Sequence, residues 1–506
     1  MQIVHPYSIE FLTTQLTLKP SLKSEIIIKK HVKYLHGYFT HEDINAKTIV
    51  FEDKYVSKDY LYDYTEYYST IFENYERFCK RLHFFSNVFT QEEFETILLN
   101  NEGSGISSFW DNYLGFIVIK PLPINNIGIS VLRHFKEPRR FWGIRNYTIN
   151  IFGCETNIES LAFQEQDKVV SACATTALWC MLQKASKEEF ATSKSPSELT
   201  KDAGLLSPEG GRLFPNKGLN LFQMCQVIVK AGLVTEVRKG DINIKIGNRT
   251  SIEIISNEYL KKLVYGYSFI GIPIILVIKV PSKDETGLHA ITVCGHNLRP
   301  TDLNFHKKKY HWFSDSLDKL YAHDDQFGPF AKIEFNENTD LITPWNEEKR
   351  THKIYVKNII IPVYHKIRIT YDNIEVTVIR LHEIFARYFK PNFMKYIQWE
   401  IKANYSEKYK QAIKSNTTVN SQLKLKILTQ SLPKYIWIAT MYLIDYPLCE
   451  FVFDATNIES GIIGLERLCF DDEIKSSLNK FININPDLIE ILQRNFRNFE
   501  TPPFFN

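Results

Sequence analysis

Cys173 sits between two alanines in SACATTALWCMLQKAS (171–186), where a helix is expected to begin. In a first helical turn, unclaimed backbone N–H groups and the positive end of the helix dipole favour thiolate over thiol. The flanking Ala172 and Ala174 leave room for a substrate to approach. Cys180, two turns further on, has no such surroundings and is expected in the core. A thiolate nucleophile needs a base, and the base needs a group to orient it. Both types follow downstream. GLHAITVCGH (287–296) puts His289 at the head of a strand, and YAHDDQFGPF (321–330) ends the next strand with Asp324 and Asp325 before a glycine turn. Asp315 in HWFSDS (311–316) is a further candidate for the acid. Upstream, Gln164 and Gln166 offer amide N–H groups that could hold an oxyanion, together with the helix-start N–H groups.

The elements that must position these groups can be read from periodicity. Ala174, Leu178, Met181, Leu182 and Ala185 fall at threes and fours, which predicts a core-facing helical stripe with Ser171 as its cap. GIPIILVIKV (271–280) predicts a buried strand, too short and too proline-broken to span a membrane. In SPSELTKDAG (195–204), Ser195, Pro196 and Glu198 form a capping-box helix start. The glycine- and proline-punctuated stretch 206–218 predicts a long polar loop.

Three regions follow. Residues 1–110 are expected to be largely helical, with 58–89 one helix whose stripe is Tyr64, Tyr68, Phe72, Tyr75, Phe78 and Leu82. Residues 111–335 alternate strands with the helices above. Residues 336–506 read as a further α+β region, in which VFDAT (452–456) ends a strand at Asp454 by a local side-chain turn. The expected fold class is α+β, with the cysteine helix packed on an antiparallel sheet.

Composition narrows the function. The 61 basic and 58 acidic residues are interspersed, so no basic field marks a nucleic-acid partner. No run is long and apolar enough for a membrane span, and no secretory leader pattern opens the chain. The eight cysteines show no close pairing, which fits free thiols in a reducing cytoplasm. His289, His296, His306, His311 and His323 lie near one another in sequence, but without HExxH or paired-cysteine spacing. No metal and no cofactor are expected, and no phosphate-binding loop is found.

The cysteine-bearing helix, the strands GIPIILVIKV and GLHAITVCGH, and a strand ending in Asp before Gly-Pro together resemble papain-like cysteine peptidases. They are most similar to the bacterial branch that cleaves double-glycine leader peptides. The resemblance covers about residues 160–335. It implies a papain-like core, with Cys173 as nucleophile, His289 as general base and acid, Asp324 as orienter and Gln166 as oxyanion donor. A peptide or protein substrate, cleaved at a peptide or isopeptide bond through a thioester, follows from it. That family places its glutamine six residues before the cysteine and a glycine after it. Here Gln166 is seven before, Asp167 takes the sixth place, and Ala174 follows. Transglutaminase-like acyl transfer uses the same order of groups and stays open, as does a binding scaffold of the same fold without turnover.

Overall fold

The computed structural model describes residues 2–99, 108–167, 169–186, 191–204, 211–215, 217–246, 250–282, 285–300, 309–336, 339–346, 353–417, 419–459, 461, 463–496 and 503–505. Residues 206–210 and 216 of the expected loop lie outside them, and 211–215, 217 and 218 form neither helix nor strand. The chain divides into two compact units, each assembled from separated stretches.

The first unit comprises Met1–Ile255, Ile272–Asn297 and Lys319–Pro362. It opens with a five-stranded antiparallel sheet in the order Val4–Pro6, Thr48–Tyr55, Cys79–Phe85, Tyr113–Ile119 and Ile127–Leu132. Helices Ile9–Leu16 and Lys30–Thr40 bury Leu12, Leu16, Leu35 and Phe39 in a core with Ile49, Leu82, Phe84 and Ile117 of this sheet. The expected single helix over 58–89 is not formed. The chain instead makes a helix at Lys58–Glu66, a short 3-10 turn at Tyr68–Thr70 and the strand Cys79–Phe85, and Phe72 is fully exposed. The strand is paired on both sides, and that tertiary pairing outweighs the helical spacing of its aromatics.

A tight hairpin, Arg145–Ile151 with Cys154–Ser160, turns through Phe152 and Gly153, both at positive φ (49° and 95°). It leads to the helix Cys173–Ala185 by way of an extended segment bridged at Phe163 to Ser130. That helix is buried on nearly every side, not along one stripe; Cys173 and Lys184 alone are half-buried. A larger sheet runs in the order Leu341–Ile342, Gly328–Phe335, Leu317–Asp324, Glu285–Leu298, Ile274–Ser282, Tyr355–Val363 and Val234–Lys239. Glu285–Leu298 pairs antiparallel with Ile274–Ser282, and Thr292 Oγ1 donates to the Ala177 carbonyl at 2.8 Å, tying this strand to the cysteine helix. The capping box at Ser195 and Glu198 forms as its residues predict.

The second unit comprises Ser256–Gly271, Leu298–Asp318 and Val363–Asn506. Its sheet orders His311–Trp312, Ile397–Tyr405, Tyr435–Leu443, Tyr446–Asp454 and Gly464–Cys469, parallel at the first pair and antiparallel thereafter. Helices Ser406–Ser415 and Ser421–Thr429 bury Tyr409, Ile413 and Ile427 against Ile436, Ile438 and Val452. Both units are mixed α+β with predominantly antiparallel sheets. Among the described residues no helix is long and apolar enough to cross a membrane.

Candidate active site

Leu317–Asp324 and Glu285–Leu298 are neighbours in the larger sheet, which brings the end of one strand beside His289 of the other. His289 Nε2 lies 2.9 Å from Asp324 Oδ1. The Gln326 N–H donates to the same oxygen at 3.0 Å, and Trp345 Nε1–H donates to Oδ2 at 2.9 Å. Asp324 is buried, so these three donors replace the water its carboxylate has lost. Asp325 is equally buried, but its Oδ1 stands 3.5 Å from His289 Nε2 and has no hydrogen-bond partner among the described residues. Asp315 lies in a turn of the second unit, where its carboxylate accepts the Trp312 N–H. Of the three acids weighed from sequence, Asp324 is the one hydrogen-bonded to the imidazole.

The Cys173 side chain stands beside His289. With Nε2 engaged by Asp324, the nitrogen left for the sulfur is Nδ1. Burial alone would discharge the imidazolium, but Asp324, the Cys173 contact and Asp325 outweigh it and hold the His289 pKa well above the ordinary histidine value. Burial likewise opposes the Asp324 anion, and the His289 charge, its hydrogen bond and the donors from Gln326 and Trp345 bring that pKa down. Asp325 moves the other way: burial, with the Asp324 charge added, raises it against the pull of His289. The pair is therefore imidazolium with Asp324 carboxylate, and the extra carboxyl favours its protonated form. Cys180 is buried, and burial pushes its thiol up.

The helix start departs from expectation. Its cap is Ala172, with no side-chain hydrogen bond, so the first-turn N–H groups are not claimed by a cap. Ser171 does not cap; its hydroxyl turns back to Asp167, whose N–H donates to Ser171 Oγ at 3.3 Å. Asp167 organises the approach. Its Oδ1 accepts the N–H groups of Val169, Val170 and Ser171 at 2.9, 2.9 and 3.0 Å, and Tyr68 donates its hydroxyl to Oδ2 at 3.1 Å. The residue six before the cysteine is thus an anchor for the loop. Gln166 is half-buried beside it. Gln164 is buried, its Nε2 has no partner among the described residues, and its backbone meets the Cys180 thiol, two turns past Cys173.

Sequence reasoning missed three supports. Trp345 holds Asp324 and lies edge-on to His289, with ring centroids 5.2 Å apart. The helix Lys30–Thr40 buttresses the turn after Asp324: His31 Nε2–H donates to the Asp325 carbonyl at 2.7 Å, and Tyr34 to the Pro329 carbonyl at 2.7 Å. The His31 and Tyr34 contacts join segments nearly three hundred residues apart, and Trp345 follows Asp324 by 21 residues, so no local spacing announces them.

His289, Asp324 and Asp325 present metal-ligating atoms within 4.8 Å of one another. The 2.9 Å hydrogen bond between the first two closes the space a cation would need between them. The residues fit an ion pair and a hydrogen-bonded acid better than a metal centre.

No family model, curated protein or solved structure matches the chain.

Proposed function

We propose that the chain is a cysteine hydrolase with a papain-like core, cleaving a peptide or isopeptide bond. The observation that carries this reading is His289 Nε2 at 2.9 Å from Asp324 Oδ1, with the Cys173 side chain beside the same imidazole. In the proposed reaction Cys173 acts as the thiolate, with its proton held on His289. The thiolate attacks the substrate carbonyl carbon, and the developing oxyanion takes hydrogen bonds from the uncapped N–H groups at the helix start, with Gln166 as a side-chain donor. As the tetrahedral adduct collapses, the C–N bond breaks and His289 gives its proton to the departing amine, leaving a thioester on Cys173. Neutral His289 then takes a proton from water as the water attacks the thioester. Collapse releases the carboxylic acid, and the thiolate–imidazolium pair is restored. Asp324 keeps the ring in the orientation both proton transfers need, and Trp345 keeps Asp324 in place.

Hydrolysis is favoured over a turnover-free scaffold because the charged pair is held buried at a cost that packing alone does not require. The test is acid-quenched mass spectrometry of the chain turning over an activated peptide ester. A covalent acyl adduct on the Cys173 peptide, released by hydroxylamine and absent from Cys173→Ser and His289→Ala chains, is the expected result. Ester turnover with no adduct at Cys173 would overturn the reading.

A further inference from the structure

Lys120 follows the strand Tyr113–Ile119, and its N–H donates to the Asn126 carbonyl at 2.7 Å as the chain turns back into Ile127–Leu132. The residue is only 4% exposed, and its ammonium makes no hydrogen bond or ion pair among the described residues. A buried lysine is rarely left in that state, because taking its charge out of water is costly unless an anion answers it. Two neighbours could answer it, and both favour the uncharged form at neutral pH. Burial, with the Asp167 charge added, pushes Asp63 up to about 8 against the pull of Lys120 and of the Ser197 donors. Burial pushes the Cys79 thiol up to about 12, again against the pull of Lys120.

Lys120 and Cys79 line an open cavity of about 520 Å³ in the first unit, within the size range of ligand sites. Asn126 lines it too. Its amide N–H donates to the Leu16 carbonyl at 2.6 Å, but its Oδ1 is buried and has no hydrogen-bond partner among the described residues. The lining thus holds one unanswered cation and one unanswered acceptor. Leu18, Tyr75, Phe78 and Ile119 supply an apolar wall, of which Leu18 and Phe78 stand 46% and 43% exposed. Apart from Lys120 the lining carries three lysines, Lys19, Lys54 and Lys80, and three acids, Asp53, Glu73 and Glu76. Lys19 pairs with Glu73 at 2.9 Å, and the Lys80 ammonium lies 5.8 Å from the Phe51 ring centroid. These charges balance, so Lys120 decides which sign of charge enters.

We propose that this cavity binds a small organic acid of single negative charge. Its carboxylate meets Lys120, an N–H or O–H of its own meets Asn126 Oδ1, and its apolar body covers Tyr75 and Phe78. A phosphate or another doubly charged group would bring two charges to one buried cation and meet the acids of the lining. Nothing in this site depends on the chemistry at Cys173.

Equilibrium dialysis of the full chain against indole-3-acetate and indole-3-acetamide tests the site. The two probes share an aromatic body and a ring N–H, and they differ in charge. The acid is expected to bind at least about tenfold more tightly than the amide. Lys120→Met keeps an unbranched apolar stem without the charge, and should bring the two affinities within about twofold of each other. Phe78→Ala should weaken both probes by about threefold and leave their ratio unchanged. Phe78 is exposed, so that substitution spares the core. Equal affinity of the parent chain for acid and amide, no binding of either, or a preference for the acid that survives Lys120→Met overturns the proposal. The first two of these outcomes are read on the unsubstituted chain, so they hold whether or not Lys120→Met folds.

Discussion

Asp324 and Asp325 are adjacent, identical and both buried, yet their surroundings divide them. Asp324 collects an imidazole, a backbone N–H and an indole N–H, whereas Asp325 has one side-chain donor, Gln326 Nε2 on Oδ2 at 3.3 Å, and an Oδ1 without a hydrogen-bond partner among the described residues. Asp324→Asn is expected to lower kcat by roughly 10³- to 10⁴-fold, because an amide there no longer selects the productive state of the ring. Asp325→Asn should cost far less, and steady-state kinetics on both variants checks the contrast. The linkage to stability has a definite sign. The His289 pKa is raised on folding, so its contribution is full at low pH and lost as pH rises through the folded value. The Asp324 pKa is lowered, so its contribution is full at high pH and lost as pH falls through the folded value. The unfolding free-energy difference between parent and Asp324→Asn should therefore be largest between the ordinary values, 3.8 and 6.5, and shrink on either side. Denaturant unfolding at a series of pH values measures it. Cys173 and the acid pair were legible because they stand where a helix begins and a strand ends; His289, expected at the head of its strand, lies inside it, because pairing with Ile274–Ser282 extends the strand back to Glu285. The choice between Asp324 and Asp325 was not, since it depends on Trp345 and His31, contacts that no local spacing announces.

At the scale of elements, the loop before the nucleophile helix is held by one carboxylate. Asp167→Ala strands three buried or half-buried N–H groups, and a stability loss of about 2–4 kcal/mol is expected in urea unfolding. The alkylation rate at Cys173 should fall with it, whereas Tyr68→Phe removes one hydrogen bond and about 1 kcal/mol. Local chemistry of this kind is partly visible in sequence. The Ser195 capping box forms as spaced, and Asp454 Oδ1 accepts the Thr456 N–H at 2.8 Å, closing the turn after its strand. Ser171 shows the limit. Its type fits a cap, but Asp167 four residues upstream competes for its hydroxyl, and Ala172 takes the cap position. The tyrosine stripe of 58–89 shows another: helical spacing there gave way to pairing with the strands on either side in the chain, Thr48–Tyr55 and Tyr113–Ile119.

At the scale of the molecule, all the groups assigned to chemistry lie in the first unit, which also contains the helix Lys30–Thr40 and the N-terminal sheet. Composition and periodicity indicate three consecutive regions, 1–110, 111–335 and 336–506, but not two units each assembled from three separated stretches, because contacts between distant segments leave no periodic trace. The second unit has its own anchor in Trp437, which is buried and donates to the Ile369 carbonyl at 2.8 Å. Trp437→Phe is expected to cost about 1 kcal/mol of stability through that lost bond. It should leave the Cys173 alkylation rate within twofold of the parent, as parallel unfolding and labelling series would record. Three cysteines, Cys154, Cys173 and Cys225, are half-buried and so comparably open to reagent. The most direct measurement is peptide-mapped alkylation of the native chain by a vinyl sulfone at neutral pH. The expected result is that Cys173 reacts at least about a hundredfold faster than Cys154 and Cys225, and that His289→Ala removes the difference. Equal rates at all three cysteines in the native chain would contradict it.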